Sequence, residues 1–116
     1  MERISADIVV AGGGVAGLSC AAAFATAGFS VVCVDPAPPV TDNTSEGADH
    51  RTTAFFQGSR TFLDDAGIWP RLADHAAPLQ VMRIVDAGGD LPEPRIIKDF
   101  DAADISDLPF GWNLPN

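Results

Sequence analysis

Residues 7–35 decide the fold of this chain and read DIVVAGGGVAGLSCAAAFATAGFSVVCVD. The stretch contains an apolar run, a glycine-rich turn, an alanine-rich run, another glycine and a second apolar run. This pattern predicts a strand over 7–11, a helix over 15–27 that ends at Gly28, and a strand over 30–34. Two apolar strands joined by a helix are typical of a βαβ unit with a parallel sheet. The predicted fold class is therefore α/β, with a Rossmann-like unit at its start.

Three glycines in the turn, Gly12, Gly14 and Gly17, fit the pattern G-x-G-x-x-G. The first allows a sharp turn, the second lets a pyrophosphate approach the backbone, and the third lets the helix pack closely on the strand. The helix N-terminus offers free N–H groups and a partial positive charge to the phosphates. Asp35 ends the second strand, where its carboxylate can accept hydrogen bonds from both ribose hydroxyls of an adenosine. The context predicts a dinucleotide site; the alternatives are a tight turn that binds nothing and a solvated acid at a strand end.

Composition narrows the class of protein. The chain has 116 residues, of which 47% are hydrophobic, so a folded core is expected in one small domain or in a piece of a larger one. The formal net charge is −9, and only seven residues are Lys or Arg. This balance argues against a nucleic-acid partner and against an electrostatic anchor on anionic lipid.

Residues 8–34 carry no charge and are long enough to span a bilayer. Their glycines and their strand–turn–helix–strand order favour a buried βαβ unit, and the acidic residues before them do not fit a signal peptide. Cys20 and Cys33 are not in C-x-x-C spacing, and we expect two buried, reduced thiols in a cytoplasmic protein. His50 and His75 have no partners at metal-ligand spacing, so we expect no metal site.

Beyond Asp35 the pattern changes from one βαβ unit to short, mixed elements. A helix with Phe62 and Leu63 on its inner face is followed by a shorter one. The predicted order begins with a loop over 36–50, an extended or irregular segment over 51–56, a helix from 57 or 58 to 66 and a short helix over 70–75. Strands over 81–85 and 95–100 then form a long-looped hairpin. An exposed acidic segment over 101–107 and a short apolar segment over 110–114 follow.

These residues resemble a known family. Residues 7–35 are similar to the N-terminal FAD-binding unit of the flavin-dependent aromatic hydroxylases. Residues 49–60, DHRTTAFFQGSR, followed by Gly-Ile-Trp at 67–69, resemble the ubiquinone-biosynthesis hydroxylases, which act on 2-polyprenylphenol-type rings. Residues 81–90 and the Phe-Gly-Trp-Asn segment at 110–113 match the next segments of that family, so the resemblance covers essentially the whole chain.

The resemblance implies an activity and a set of cofactor ligands. NAD(P)H would reduce bound FAD, and the reduced flavin would activate oxygen for hydroxylation of a phenol. Arg51 would lie near the FAD pyrophosphate and could meet the nicotinamide cofactor, although it could also be an ordinary surface arginine. No catalytic acid, base or nucleophile is nominated. The implied cofactor-binding residues are Gly12, Gly13, Gly14, Val15, Ala16, Gly17, Asp35 and Arg51.

The sequence also departs from the family pattern. Members commonly carry Glu where this chain has Asp35, and the later Asp-Gly and Gly-Asp segments that seat the flavin ring and ribityl chain are absent. We therefore expect the first part of a longer protein, with an incomplete FAD-binding domain over 1–77 and the start of a substrate-domain sheet over 78–116. Two alternatives stay open: another FAD-dependent oxidoreductase, or a non-catalytic nucleotide-binding module.

The resemblance further implies partners and a location. The expected partners are FAD, an aromatic polyprenylphenol substrate and no nucleic acid. Further hypotheses are peripheral association with the inner membrane or a biosynthetic complex, and self-association through apolar surface that an incomplete sheet leaves uncovered. The expected location is the cytoplasm, peripheral to the inner membrane where such association occurs.

Overall fold

The structure is a computed structural model that describes residues 1 and 3–116. The predicted α/β class with a parallel sheet is confirmed, and the structure contains two antiparallel sheets besides. The elements in chain order are β1 (Ile8–Ala11), α1 (Val15–Thr26), β2 (Val31–Val34), β3 (Thr52–Phe56), α2 (Gln57–Asp65), α3 (Trp69–Leu72), a 3₁₀ turn (Ala73–His75), β4 (Ala77–Leu79), β5 (Val81–Asp86), β6 (Ile96–Asp101), a second 3₁₀ turn (Ala102–Asp104) and β7 (Gly111–Pro115).

The βαβ unit forms as the sequence predicts. Strands β1 and β2 pair in parallel, with Ile8 opposite Val31. The alanine-rich α1 connects them and packs against both. Gly28 ends this helix with a φ of +99°, a conformation that a residue with a Cβ rarely adopts. Its N–H donates to the carbonyl oxygen of Ala25 at 3.0 Å, which satisfies one of the free carbonyls at the helix end.

Asp7 and Ser30, which precede β1 and β2, form a hydrogen-bonded pair at the N-terminal end of the parallel sheet. The Asp7 carboxylate accepts from the backbone N–H of Ser30 at 2.9 Å and from its hydroxyl at 2.7 Å. In return the backbone N–H of Asp7 donates to the Ser30 hydroxyl at 2.9 Å. The two hydrogen bonds that the carboxylate accepts hold the pKa of the Asp7 carboxyl below its usual value, and the bond from the Ser30 hydroxyl has the larger effect. Sequence reasoning did not identify this pair, which joins the residues that precede the two strands.

Gly17 brings the start of α1 into contact with the end of β1. A Cβ on Gly17 would lie 1.8 Å from the carbonyl oxygen of Gly12 and 3.6 Å from the Val10 side chain. Real Cβ atoms do not approach an oxygen so closely, so this position accepts only glycine without a shift of the backbone. The third glycine of the motif therefore fixes how the helix leaves the turn, as the sequence predicts.

The second sheet has the strand order β3-β7-β4 and carries the small core of the chain. Leu63 of α2, Trp69 of α3 and Leu114 of β7 are buried together. The predicted inner position of Leu63 is confirmed, whereas Phe62 is 48% exposed and its predicted inward position is wrong. Successive helix residues point about 100° apart, so the shallow contact between α2 and the sheet covers only one of the two.

Strands β4 and β7 were not predicted as strands. β4 contains only three residues, and β7 coincides with the segment predicted only as short and apolar. Phe55 of β3 lies opposite Trp112 of β7, and Pro78 of β4 flanks the same tryptophan on the other side. β4 spans the predicted domain boundary between residues 77 and 78, and β7 pairs with β3 across that boundary. The division into two domains stays a prediction.

The third sheet is the predicted hairpin of β5 and β6. Arg83 and Asp99 face each other across it and form a two-point ion pair with distances of 2.7 and 2.8 Å. Every residue of both strands is exposed, including apolar side chains such as Ile84 and Ile97. Among residues 1 and 3–116, no helix is both long enough and apolar enough to cross a membrane.

We predict that Gly17→Ala destabilises this chain because the added methyl group collides with the Gly12 carbonyl. The free energy of unfolding in urea should fall by about 1–3 kcal/mol, the usual cost of overpacking. Gly58→Ala is the matched control, because Gly58 lies in the first turn of α2 and a Cβ there would have no described atom within 4 Å. The control should retain or gain stability, by up to about 1 kcal/mol. Equal losses in both variants would contradict the close approach.

Candidate functional site

A cleft of about 370 Å³ opens at the carboxyl ends of β1 and β2, beside the N-terminus of α1. This is the edge of a parallel sheet at which α/β proteins bind ligands. Its residues all come from the turn, the first turn of α1, the end of β2 and the loop after that strand. The lining consists of Gly13, Gly14, Leu18, Cys33, Asp35, Ala37, Pro38 and Pro39.

The glycine turn gives this cleft an exposed helix N-terminus. Gly12 has a φ of +112°, and its N–H donates to the carbonyl oxygen of Val34 at 2.7 Å, which joins the turn to β2. Gly14 precedes α1, and its carbonyl accepts the first helical hydrogen bond from Leu18 at 2.9 Å. None of the side chains that the structure describes caps this end. The N–H groups of Val15 and Ala16 therefore have no partner within the helix.

Gly14 leaves room for a ligand at that helix end. A Cβ on Gly14 would have no described atom within 4 Å, so it would extend into open space beside the uncapped N–H groups. A phosphate group fits such a place because the N–H groups donate to its oxygens and the helix dipole favours negative charge. The turn therefore combines free N–H donors with open space at Gly14, the two features that the glycine motif predicts.

Asp35 lines the same cleft and is bound to the turn. One carboxylate oxygen accepts from the N–H of Gly13 at 2.7 Å, and the other accepts from the N–H of Ala37 at 3.0 Å. The Gly13 bond, followed by the Ala37 bond, holds the pKa of the Asp35 carboxyl below its usual value. Each oxygen of an ionised carboxylate can accept more than one hydrogen bond, so capacity remains for ribose hydroxyls.

Gly13, Gly14 and Asp35 are the predicted residues that line the cleft, whereas the other five lining residues were not predicted. For two of these five, Leu18 and Cys33, the spacing in the sequence contains a signal. Cys33 precedes Asp35 by two positions on a strand, which places both on one face, and Leu18 follows Gly14 by four positions on a helix. Cys33 is exposed rather than buried, so that expectation was wrong: α1 covers one face of this two-stranded sheet, and the cleft borders the thiol. Its Sγ lies 3.4 Å from the carbonyl oxygen of Gly12.

Arg51 lies at the start of β3, outside the lining of this cleft. Its side chain is 83% exposed and binds Asp49 at two points, with distances of 2.9 and 2.7 Å. Asn116 also donates to the Asp49 carboxylate at 2.9 Å. The Arg51 hydrogen bond is the main reason why the pKa of Asp49 lies far below its usual value. A role for Arg51 in cofactor binding stays a prediction.

The remaining candidate features offer less chemistry. A second cleft of about 380 Å³ lies between α1 and the β3-β7-β4 sheet, and its walls are largely apolar, with Leu18, Leu63 and Leu114 among them. His50 and His75 are exposed. Within residues 1 and 3–116, no group of three or more His, Cys, Asp or Glu side chains could hold a metal ion.

Comparison with known proteins gives two matches. Residues 7–95 match the family model described as FAD dependent oxidoreductase. The ubiquinone hydroxylase UbiL of Rhodospirillum rubrum is 35% identical over 86 residues, which are 74% of this chain and 20% of UbiL. The chain thus spans about a fifth of the length of this relative. The family match includes the whole cleft and Arg51.

We predict that Asp35 titrates below the ordinary aspartate value of 3.8. Because its pKa is lowered in the folded chain, its contribution to folding is complete above that ordinary value and is lost as the pH falls through the lowered pKa. An NMR titration should show the Asp35 carboxyl carbon and the Gly13 amide proton shifting together in that acidic range. In Asp35→Asn the Gly13 signal should no longer titrate there. A Gly13 signal that is insensitive to pH in the unaltered chain would contradict the bond.

Proposed function

This chain belongs to the FAD-dependent oxidoreductase family, and we propose that its cleft binds the adenosine diphosphate half of FAD in an aromatic hydroxylase. The observation that supports this most directly is the open space beside Gly14. Gly14 lines the cleft at the uncapped end of α1, a Cβ on it would meet no described atom within 4 Å, and the Asp35 carboxylate lines the same cleft. Phosphate donors and ribose acceptors therefore occur together at one sheet edge.

The residues of this chain would divide the adenosine diphosphate between them. The first-turn N–H groups of Val15 and Ala16 would donate to the pyrophosphate, and Gly14 would let it approach. The ionised Asp35 would accept from the ribose hydroxyls. Arg51 is bound to Asp49 at two points. It would add a positive charge near the pyrophosphate only if its guanidinium contacts the pyrophosphate as well as Asp49.

The finer part of the proposal concerns the reaction. When bound, FAD supplies the redox chemistry that carries electrons from NAD(P)H to oxygen. We assign hydroxylation of a polyprenylphenol-type ring because residues 49–60 resemble that family and because the similar protein UbiL is named a ubiquinone hydroxylase. The residues that line the cleft account for the adenosine and pyrophosphate groups alone, so the 116 residues by themselves should not hydroxylate a phenol. We place this function in the cytoplasm, with the inner membrane as the source of the apolar substrate.

We predict that Gly14→Val weakens binding of adenosine diphosphate because the branched side chain would occupy the space proposed for the pyrophosphate. The affinity should fall at least about tenfold, the effect of a steric overlap of one to a few kcal/mol. NMR shift changes of the residue 12–17 amides during titration with ADP provide the measurement. Ala103→Val is the control: Ala103 is exposed in the second 3₁₀ turn and lies outside the lining of the cleft, so this variant should bind ADP normally. Unchanged ADP binding in Gly14→Val would rule out this cleft.

The reaction is tested in a chimera in which the 86 matching residues of this chain replace those of UbiL. We expect the chimera to retain FAD and to insert oxygen into a polyprenylphenol analogue with NAD(P)H as reductant. The same chimera with Gly14→Val should lose FAD. A chimera that retains FAD but oxidises only other substrates would indicate a different FAD-dependent oxidoreductase. Hydroxylated product from the 116 residues alone would contradict the proposed need for further residues.

A further inference from the structure

Asp35 makes contacts that a simple ribose ligand does not need. Its two carboxylate oxygens accept from Gly13 of the turn and from Ala37 of the loop after β2. The side chain therefore joins three segments that border the cleft. We propose that Asp35 is a positioning residue: it accepts the hydrogen bond from the Gly13 N–H and so fixes the glycine turn before a ligand binds. We call this turn, Gly12 to Gly14, together with the start of α1 the phosphate cradle. This inference rests on the proposed function of the cleft.

The turn needs such a fixed point because of its composition. Gly12 to Gly14 are three consecutive glycines, and glycine has more backbone freedom than residues with a Cβ. Ordering these three residues during binding would therefore lower the affinity. Hydrogen bonds from the Gly12 N–H to Val34 and from the Gly13 N–H to Asp35 attach two of the three to β2 and its end. The second bond has a charged acceptor, which makes it the stronger type.

The length of the Asp35 side chain fits this role. A Cβ on Gly13 would lie 3.2 Å from the Asp35 Cβ and 3.4 Å from its nearer carboxylate oxygen, so the two residues are already in close contact. A glutamate would add a methylene between that Cβ and the carboxyl group and would move the carboxylate away from the Gly13 N–H. Aspartate therefore suits the bond to the turn, whereas either acid could accept from a ribose.

Asp35→Glu separates the two roles because it keeps the negative charge and the ribose acceptors. Inorganic pyrophosphate, which has no ribose, is the probe for the cradle alone, measured at high salt so that direct charge effects are screened. Amide hydrogen exchange of Gly13 in the ligand-free chain reports the bond itself. We expect faster Gly13 exchange in Asp35→Glu and an affinity for pyrophosphate that is lower by about threefold to tenfold, the usual effect of one hydrogen bond.

Two further variants complete the test. Asp35→Ala has no acceptor, so its Gly13 amide must exchange faster. If the longer glutamate adopts a rotamer that restores the bond, Asp35→Glu is a conservative rescue and should bind pyrophosphate normally, whereas Asp35→Ala should not. Asp42→Ala is the matched control, because Asp42 makes a similar bond to the Thr44 N–H at 2.9 Å outside the cleft. It should leave Gly13 exchange and pyrophosphate binding unchanged.

The outcomes distinguish this inference from the proposed function. Unchanged Gly13 exchange in both Asp35→Glu and Asp35→Ala would overturn the positioning role, as would faster exchange in Asp35→Glu with unaltered affinity for pyrophosphate. Failure of the unaltered chain to bind either ADP or pyrophosphate would instead overturn the proposed function of the cleft. The exchange measurement needs no ligand, so it is decisive for the Gly13 bond in either case.

Discussion

The βαβ unit depends on one close approach, that of Gly17 to the carbonyl oxygen of Gly12. A Cβ at Gly17 would lie 1.8 Å from that oxygen, so the first turn of α1 lies directly against the end of β1. This contact sets where the helix begins relative to the sheet edge. Gly14, which lines the cleft, is followed directly by Val15 and Ala16 of the first turn, and a Cβ on Gly14 would meet no described atom within 4 Å. The same backbone packing therefore supports the fold and shapes the turn at which we propose that a phosphate binds.

The electrostatics of the cleft arise from the backbone rather than from basic side chains. The chain has a formal net charge of −9, and the only charged residue in the lining of the cleft, as far as the structure describes it, is Asp35. Its carboxylate accepts two backbone N–H groups, which stabilise the ionised form and lower its pKa. A diphosphate at the helix end would thus depend on N–H donors and the helix dipole, and Arg51 is the cation that the family resemblance implies.

The features that sequence predicts well are those formed by neighbouring residues. The parallel β1 and β2, the helix between them and the glycine that ends it all lie within residues 7–35, where local pattern and backbone sterics act together. Of the predicted cofactor-binding residues, Gly13, Gly14 and Asp35 line the cleft, whose residues all fall within 13–39, and their role in binding stays a prediction. Cys33 was misassigned because a continuous apolar strand is typical of a sheet buried on both faces, whereas this two-stranded sheet packs against α1 and leaves the Cys33 thiol exposed.

The features that sequence missed depend on residues far apart in the chain. The segment at 111–115 becomes a central strand only because β3 and β4 pair with it on either side, and neither its length nor its composition indicates this. Likewise Phe62 and Leu63 differ in exposure because the sheet covers one direction from α2. Long-range pairing of this kind costs loop-closure entropy and is specified by packing rather than by local propensity. The phosphate cradle can therefore be encoded in one short stretch, whereas a pocket that holds a flavin ring against a substrate must be assembled from distant segments.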